Sequence, residues 1–223
     1  MAATAGYNTL VKIGLITDVT TRTDYALSEV SGSGGLIWAG GSERYIWDPS
    51  TTLIVKINST PTASGWTFDY LLGILTFDSD QSGNTIEVTG DSFDVFTVAQ
   101  AHACSLTISA AMLEDTVYQD TAISRIYGLF DVSGTLSRFE LGNADYDPGA
   151  GTVSMYDIMT NRRTVVLEVR PVASLDAVFR ITALLESEEA STEVAGILDS
   201  VATFQGTLLT GASSSVAYGD PQP

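Results

Sequence analysis

Hydrophobic and polar positions alternate along much of the chain with the period of two that is typical of β-strands. In "GWTFDYLLGILTFDSDQSGNTIEVTG", residues 65–90, three short alternating runs are separated by turns rich in Gly and Asp. This stretch predicts a three-stranded β-meander. A meander of this size needs a further layer to pack against.

The same alternation predicts strands over most of the remaining chain. The polar stretch over residues 17–35 is interpreted as a turn-rich loop, and the residues at 131–134 as a turn that interrupts the strand they lie in. The predicted strands are 7–17, 36–38, 44–47, 53–57, 104–113, 125–141, 164–170, 177–186 and 201–209.

One segment, "GTVSMYDIMTNRR" at residues 151–163, predicts a helix. Met155, Tyr156 and Met159 share one face, and the arginines that follow lie at the negative end of the helix dipole. The expected fold is therefore mainly β with one short helix. The expected divisions are an N-terminal β-rich module (1–98), a β core (99–212) and a flexible tail (213–223).

Charge is the strongest compositional signal. The chain has 27 acidic and 10 basic residues and a formal net charge of −17, a balance that opposes binding to nucleic acid through phosphate neutralisation. The acidity is explained either by solubility or by a functional surface field. The sequence has no recognisable signal peptide and no apolar run long enough for a membrane helix, so no membrane insertion is expected. The single cysteine excludes an internal disulfide.

Candidate reactive and metal-binding groups are few. His102 and Cys104 lie on one face of a predicted strand, but nothing nearby in sequence supplies an orienting group, so a half-buried cysteine is favoured over a nucleophile. "DSDQSGNTIEVT", residues 78–89, imitates a calcium loop but has Thr89 where a bidentate Glu belongs, which favours a plain turn. "GSGG", residues 32–35, lacks the context of a phosphate loop and predicts a turn. No catalytic residue, metal or cofactor is predicted.

Aromatic residues are concentrated in the first half of the chain. Trp38, Trp47 and Trp66, with Tyr45 and Tyr70 nearby, are compatible with a sugar-binding platform, but their alternating positions favour core packing. The carboxylates have no spacing that selects a glycosidase pair. The sequence thus favours a binding or structural role over an enzyme.

The second half carries a specific order of parts. A strand leads to the acid-Thr-polar segment Glu114, Asp115 and Thr116, and "GLFDVSGTL" (128–136) is interpreted as a hairpin. A short helix, "TVVLEVRP", and "ESEEASTEVAGILDSVATFQGT" with its closing Gly206 follow. Over residues 99–210 this order resembles the major tail, or tail tube, proteins of long-tailed bacteriophages. Residues 65–93 resemble a small hairpin module of phage virion proteins.

The resemblance implies an antiparallel β-sandwich or barrel core with one short helix and an added N-terminal β-hairpin module. It also implies a structural virion protein, made in the host cytoplasm, that self-assembles into hexameric rings. Such rings stack into a hollow tail tube through which the genome passes on ejection. The implied partners are further copies of the chain and the tape-measure and tail-tip proteins. DNA is expected to pass without tight binding, since an acidic lumen repels phosphates. The central strands 177–186 and 201–209 are expected to have poorly protected edges, with Arg180 as their only basic guard, that pair between copies.

Two sets of residues are candidates for contacts in such a tube. Glu186 and Glu188 are expected to be lumen or rim charges, with a solvated loop as the alternative. Residues expected to contact the next ring lie on the polar excursion after residue 113: Glu114, Asp115, Thr116, Tyr118 and Asp120. The alternative function is a β-sandwich module that decorates a capsid or binds a surface glycan.

Overall fold

The computed structural model describes residues 10–40, 44–98, 101–114, 125–140, 155–170, 178–192 and 198–219. Within them the chain forms two antiparallel β-sheets and one short helix, which confirms the prediction of a mainly β fold. The elements are β1 (Leu10–Leu15), β2 (Val19–Glu29), β3 (Ile37–Gly40), β4 (Ile46–Trp47), β5 (Ile54–Ile57), β6 (Thr60–Thr62), β7 (Trp66–Asp69), β8 (Ile74–Phe77), β9 (Ile86–Phe93), β10 (Phe96–Thr97), β11 (Ala101–Glu114), β12 (Arg125–Glu140), α1 (Met155–Thr160), β13 (Thr164–Arg170), β14 (Val178–Thr192), β15 (Leu198–Gly206) and β16 (Val216–Gly219).

The first sheet, sheet A, has the strand order β10-β1-β13-β14-β15-β12-β11, and β16 pairs with β14 beside this path. Its inner face is strongly apolar. Residues from β1 and β13 at one end pack in the same cluster as residues from β12 at the other, so the sheet curls around its own core. The helix α1 adds Met155 and Ile158 to that cluster. The core of sheet A therefore lies in the hollow of the curled sheet, which α1 helps to fill.

The second sheet, sheet B, has the order β6-β5-β9-β2-β3-β8-β7, with β4 also paired to β9. All its strands, β2 to β9, come from residues 19–93, so they lie between β1 and β10 in the chain. The domain division at residue 98 stays a prediction. Sheet A nevertheless draws β1 and β10 from the first 98 residues, so a cut there would separate β1 from its partner β13.

The predicted meander over residues 65–90 is only partly correct. β7 and β8 form the predicted hairpin, with Trp66 opposite Phe77. The third strand, β9, does not pair with β8; β3 and β2 lie between them in the sheet. Alternation indicates that a segment is a strand but not which strand it will pair with, and about a third of consecutive strands are not neighbours.

The polar stretch interpreted as a loop contains the eleven-residue strand β2, so that prediction is wrong. β2 pairs with β9 from Val19 to Leu27, with an irregularity between Arg22 and Tyr25 where Asp24 has a positive φ of 51°. Most of its side chains are exposed or half-buried. A strand with so little buried surface carries no hydrophobic alternation, which explains why the pattern missed it.

The predicted turn at residues 131–134, and with it the "GLFDVSGTL" hairpin, is also wrong. β12 continues without a break through these residues and pairs with β11 throughout. Gly134 is there for packing: a Cβ on it would lie 2.4 Å from Cζ of Phe204 and 2.2 Å from the backbone oxygen of Ser105. Glycine in this strand permits close approach of a neighbouring side chain, which resembles a turn signal in sequence.

The C-terminal segment is only partly outside the sheets. Residues expected to be flexible form β16, whose Val216 lies opposite Ile181 and whose Tyr218 stacks on Phe179. Residues 220–223 lie outside the described part. The helix prediction is confirmed at α1, where Met155 and Ile158 are buried and Met159 is half-buried. The side chain of Tyr156 lies outside the described set.

The two sheets meet through a mixed contact. Ile46, Leu71 and Phe93 of the sheet B segment pack on Val166 of β13 in one small cluster. Beside it, the buried Arg180 of β14 donates from Nη1 to the carbonyl of Leu71 (2.8 Å) and from Nη2 to the carbonyl of Arg44 (2.7 Å). Sheet A is thus fastened to sheet B on its outer face.

Candidate assembly surface

The outer edge of sheet A is β11, a fourteen-residue strand whose free side is not paired with any described strand. The predicted edges are different: β14 lies between β13 and β15, and β15 between β14 and β12, so the prediction that these two are poorly protected edges is wrong. Arg180 is no edge guard but a buried residue at 1% exposure. The unprotected edge belongs to β11, which contains no Lys, Arg or Pro.

The far part of the β11–β12 hairpin extends beyond the sheet. β12 pairs with β15 only from Ser133 to Glu140. From Arg125 to Val132, β12 pairs with β11 alone. We call this two-stranded extension, residues 109–114 and 125–131, the hairpin arm. A free two-stranded ribbon is marginally stable in water, so a long one usually has a partner.

The face of the hairpin that begins at the core continues along the arm. Cys104 and Leu106 pack partly on the core of sheet A. The next large side chains on or near this face are exposed: Ile108 at 47%, Met112 at 58% and Phe130 at 72%. Phe130 lies opposite Ala110, close to Ile108 in the ladder. The core face of the hairpin therefore runs out into solvent as an apolar surface.

The opposite face of this part of sheet A is small and hydroxylated. Ser187, Thr203, Thr135 and Ser105 lie in one row across β14, β15, β12 and β11. Their hydroxyls bond in pairs, Ser187 to Thr203 and Ser105 to Thr135, each at 2.7 Å. We call this surface the hydroxyl face. At adjoining positions of β15 and β12, the side-chain amide of Gln205 donates a hydrogen bond to the carboxylate of Asp131.

The two predicted lumen carboxylates are placed differently. Glu186 is exposed and stands at a register shift between Leu185 and Ser187 in β14. Glu188 is half-buried, lies opposite the buried Ala202, and accepts a hydrogen bond from the Ser200 hydroxyl at 2.8 Å. It thus belongs to the core side of the sheet, whereas the exposed Glu189 lies beside Ser187 on the hydroxyl face. Their role in a lumen stays a prediction.

The residues predicted to contact the next ring follow β11. Glu114 is the last residue of that strand and pairs with Arg125 in the backbone register. Its side chain, and all of Asp115, Thr116, Tyr118 and Asp120, lie outside the described residues. These candidates stay predictions.

The reactive and metal candidates do not gather into a site. Burial raises the pKa of the Cys104 thiol to about 11, so the thiolate is scarce at neutral pH. The side chain of His102 lies outside the described set. In the loop that imitates a calcium site, Asp80 accepts the backbone N–H of Ser82 at 2.7 Å, and the hydrogen bonds from Ser82 lower the pKa of Asp80. In the described part of the chain no three His, Cys, Asp or Glu side chains are grouped as metal ligands would be.

The aromatic residues pack as the alternation favoured. Trp47 and Trp38 are buried at 1% and 5% exposure, and Trp66 is half-buried. Tyr45 and Trp47 meet edge to face inside the core of sheet B, with ring centroids 6.3 Å apart. These rings are committed to packing, which leaves no open shelf of tryptophans for a sugar. No described helix is both long enough and apolar enough to cross a bilayer.

Two features of the surface were absent from the sequence predictions. The hydroxyl face was missed because the register between four strands brings its members together from distant positions. The exposed arm was missed because Ile108, Met112 and Phe130 follow the same alternation as the core. What distinguishes these residues is that they lie where β11 and β12 extend past the end of β15. Only the strand pairing reveals this position.

Comparisons with known proteins find matches among solved structures. No family model matches the chain, and no curated protein matches it. Among solved structures, a chain of "Virion of native gene transfer agent (GTA) particle" is similar over 56% of this chain and 88% of that chain, with 12% identity and a TM-score of 0.42. A chain of "Tail of empty GTA particle computed with helical refinement, C6 symmetry" is similar over 56% of this chain and 86% of that chain, with the same identity and TM-score.

Proposed function

We propose that this chain is a structural protein of a phage-like virion tail that self-assembles into hexameric rings stacked as a hollow tube. The observation that carries the proposal is the hairpin arm: an unguarded β-edge joined to an exposed apolar face. In a monomer both surfaces are exposed and favour association, and further copies of the chain can cover them. We propose that the arm contacts a different surface of the next copy, and such a heterologous contact closes into rings or continues into filaments. The hexameric ring and its stacking into a tube are inferred from the sequence resemblance to tail tube proteins.

The hydroxyl face is the best candidate for the wall of the lumen. Its row of Ser and Thr hydroxyls presents no cation among the described side chains, and Glu189 adds a negative charge at its end. A surface of this kind hydrates well and does not attract phosphates, so DNA would slide past it. We keep Glu186 as a lumen or rim charge. Glu188 and Glu189 lie on opposite sides of the strand, so only one of them can face the lumen.

The role we propose is structural and not catalytic, and the proposed location of the protein is the virion tail. The partners would be further copies of the chain, with tape-measure and tail-tip proteins at the ends of the tube. We keep Asp115, Thr116, Tyr118 and Asp120, which follow β11 in the sequence and lie outside the described residues, as the proposed contacts with the next ring. The buried tryptophans give no support to the alternative of a glycan-binding module.

The test is self-association after one substitution on the arm. Phe130→Asp puts a charge at the most exposed of the large hydrophobic side chains in the described part of the chain. We expect it to keep the circular dichroism and melting temperature of the native protein. Sedimentation velocity over a concentration series should show association of the native protein and its loss, by at least tenfold in apparent affinity, in the variant.

The matched control is Ile54→Asp, which makes the same change at an exposed aliphatic residue of β5 in sheet B. It should associate as the native protein does. Equal association of the native protein and Phe130→Asp would remove the arm from the interface. A native protein that stays monomeric across the series would contradict the proposed function itself.

A further inference from the structure

A cleft of about 550 Å³ lies where sheet A meets sheet B. Five of the chain's ten cations line it, with two carboxylates: Lys12, Arg22, Arg44, Arg170, Arg180, Asp94 and Glu168. The cleft thus has an excess of three positive charges. The rest of the chain has five basic residues against 25 acidic ones, since 10 − 5 = 5 and 27 − 2 = 25. So strong a local reversal of sign in an acidic chain indicates a site for an anion.

The strand register explains how the cations gather. Lys12, Glu168 and Arg180 lie directly opposite one another across β1, β13 and β14, and Arg170 follows Glu168 by two positions on the same face. Three cations therefore share one carboxylate. Each is drawn from a different position in the sequence, and all face the cleft on the outer side of sheet A.

One of these cations, Arg180, already has a partner at each of its three guanidinium nitrogens. Arg180 bonds the Oε2 of Glu168 from Nε at 2.9 Å and approaches it from Nη2 at 2.8 Å, and its remaining donors reach carbonyls of sheet B. Arg22 is also engaged, since it lies over the Tyr45 ring at 4.0 Å and bonds Ser92 and Asp94. These two arginines hold the walls of the cleft in place.

Lys12 and Arg170 have donors to spare. The Nζ of Lys12 is 3.6 Å from the Oε1 of Glu168, beyond a normal hydrogen bond, and Arg170 bonds the same oxygen through Nε alone at 3.2 Å. Among the described residues neither has another polar partner. Their side chains are 29% and 28% exposed, so a solute can reach them. The remaining N–H groups suit a group with several acceptor oxygens.

We propose that this cleft binds an anion of two or more negative charges through a carboxylate or phosphate group held by Lys12 and Arg170. The bound group adds the acceptors that Glu168 does not supply and offsets the surplus charge. Arg22 and Arg180 form the walls, and the cleft has the volume of a small-molecule site. This binding does not depend on the assembly proposed above.

The experiment is a thermal melt with inorganic phosphate and, separately, with citrate, at constant ionic strength set by sodium chloride. We expect either anion at ten times its Kd to raise the Tm of the full chain by about 3 to 6 °C. In the double variant Lys12→Gln, Arg170→Gln this shift should be lost. The matched control is Arg162→Gln, Arg163→Gln, which removes two charges at exposed positions after α1 and should keep the shift.

The concentration series separates two sources of the anion. If the natural occupant is a carboxylate of a second copy, phosphate should weaken self-association and so should the double variant. If it is a free anion, phosphate should raise the Tm and leave association unchanged. A Tm shift no larger than that of added chloride, or an equal shift in the double variant, would overturn the proposal. Lys12→Gln alone repeats the test if the double variant does not fold.

Discussion

The buried side chain of Arg180 joins the two sheets. It bonds Glu168 on the neighbouring strand and two backbone carbonyls of the other sheet. Because each carbonyl is satisfied by the guanidinium, removing the side chain leaves these acceptors and the Glu168 carboxylate without their main donor. The sequence predicted this arginine to be an edge guard, because alternation marks two sides of a strand but does not indicate that both are covered.

Arg180→Ala should therefore destabilise the protein strongly. We expect a loss of about 3 to 5 kcal/mol in the free energy of unfolding, the usual cost of removing one partner of a buried ion pair. Urea unfolding at pH 7 measures it. Arg163→Ala, at an exposed position, serves as the control and should change stability little. A loss for Arg180→Ala as small as that of the control would show that the sheets are held by apolar packing alone.

Glu168 makes stability depend on pH. Burial raises the pKa of Glu168, but the nearby charges of Arg180, Lys12 and Arg170 outweigh burial and hold the pKa below its ordinary value of 4.5. A carboxyl with a depressed pKa in the folded state stabilises the fold above its unfolded pKa, and this stabilisation is lost as the pH falls through the folded pKa.

The stability difference between the native protein and Glu168→Gln isolates this effect, since the other carboxylates titrate in both. We expect the native protein to be more stable at pH 6, and the difference to shrink as the pH falls from about 4.5 toward 3. Urea unfolding at a series of pH values measures it. A difference that stays constant through this range would mean that folding does not lower the pKa of Glu168.

At the scale of elements, the sequence indicated where strands lie better than how they pair. β13 was predicted with its observed bounds, Thr164–Arg170, because five consecutive buried residues leave a strong signal. β9 was found but assigned to the wrong neighbour. β2 was missed because its exposed residues carry no alternation. Pairing and edges depend on contacts between distant segments, which local patterns do not contain.

Gly134 tests the corrected reading of β12. In a turn, Asn would be tolerated better than Ala, because Asn accepts a positive φ. In the observed strand a Cβ would press on Phe204, so both replacements should destabilise, by about 1 to 3 kcal/mol, and the larger Asn more than Ala. Thermal or urea unfolding of the two variants ranks them. Asn as the milder change would restore the predicted turn.

On the scale of the whole molecule, charge and shape separate two kinds of anion. The chain carries a net charge of −17, yet the cationic cleft described above lies between two sheets. A small anion fits such a cleft, whereas the continuous phosphate backbone of a duplex does not. The hydroxyl face offers no described cation to DNA either.

The purified protein should consequently show no retention of duplex DNA at physiological salt. Gel shift or filter binding at about 0.15 M salt measures this, since the Debye length there is about 8 Å and longer-range attraction is screened. Binding that weakens steeply as salt is raised would mean that basic residues of the chain form a DNA-binding surface, and the proposed sliding wall would be untenable.

The central claim is that the chain builds a tube from copies of itself, with the hairpin arm in the contact and the hydroxyl face toward the hole. Electron microscopy of concentrated native protein, alone and with tail-tip nuclei, tests this claim most directly. The account predicts rings or filaments of uniform width with a central hole and sixfold symmetry in end views, present in Ile54→Asp and absent in Phe130→Asp. Only dispersed monomers in the native sample, at every concentration and with nuclei present, would contradict it.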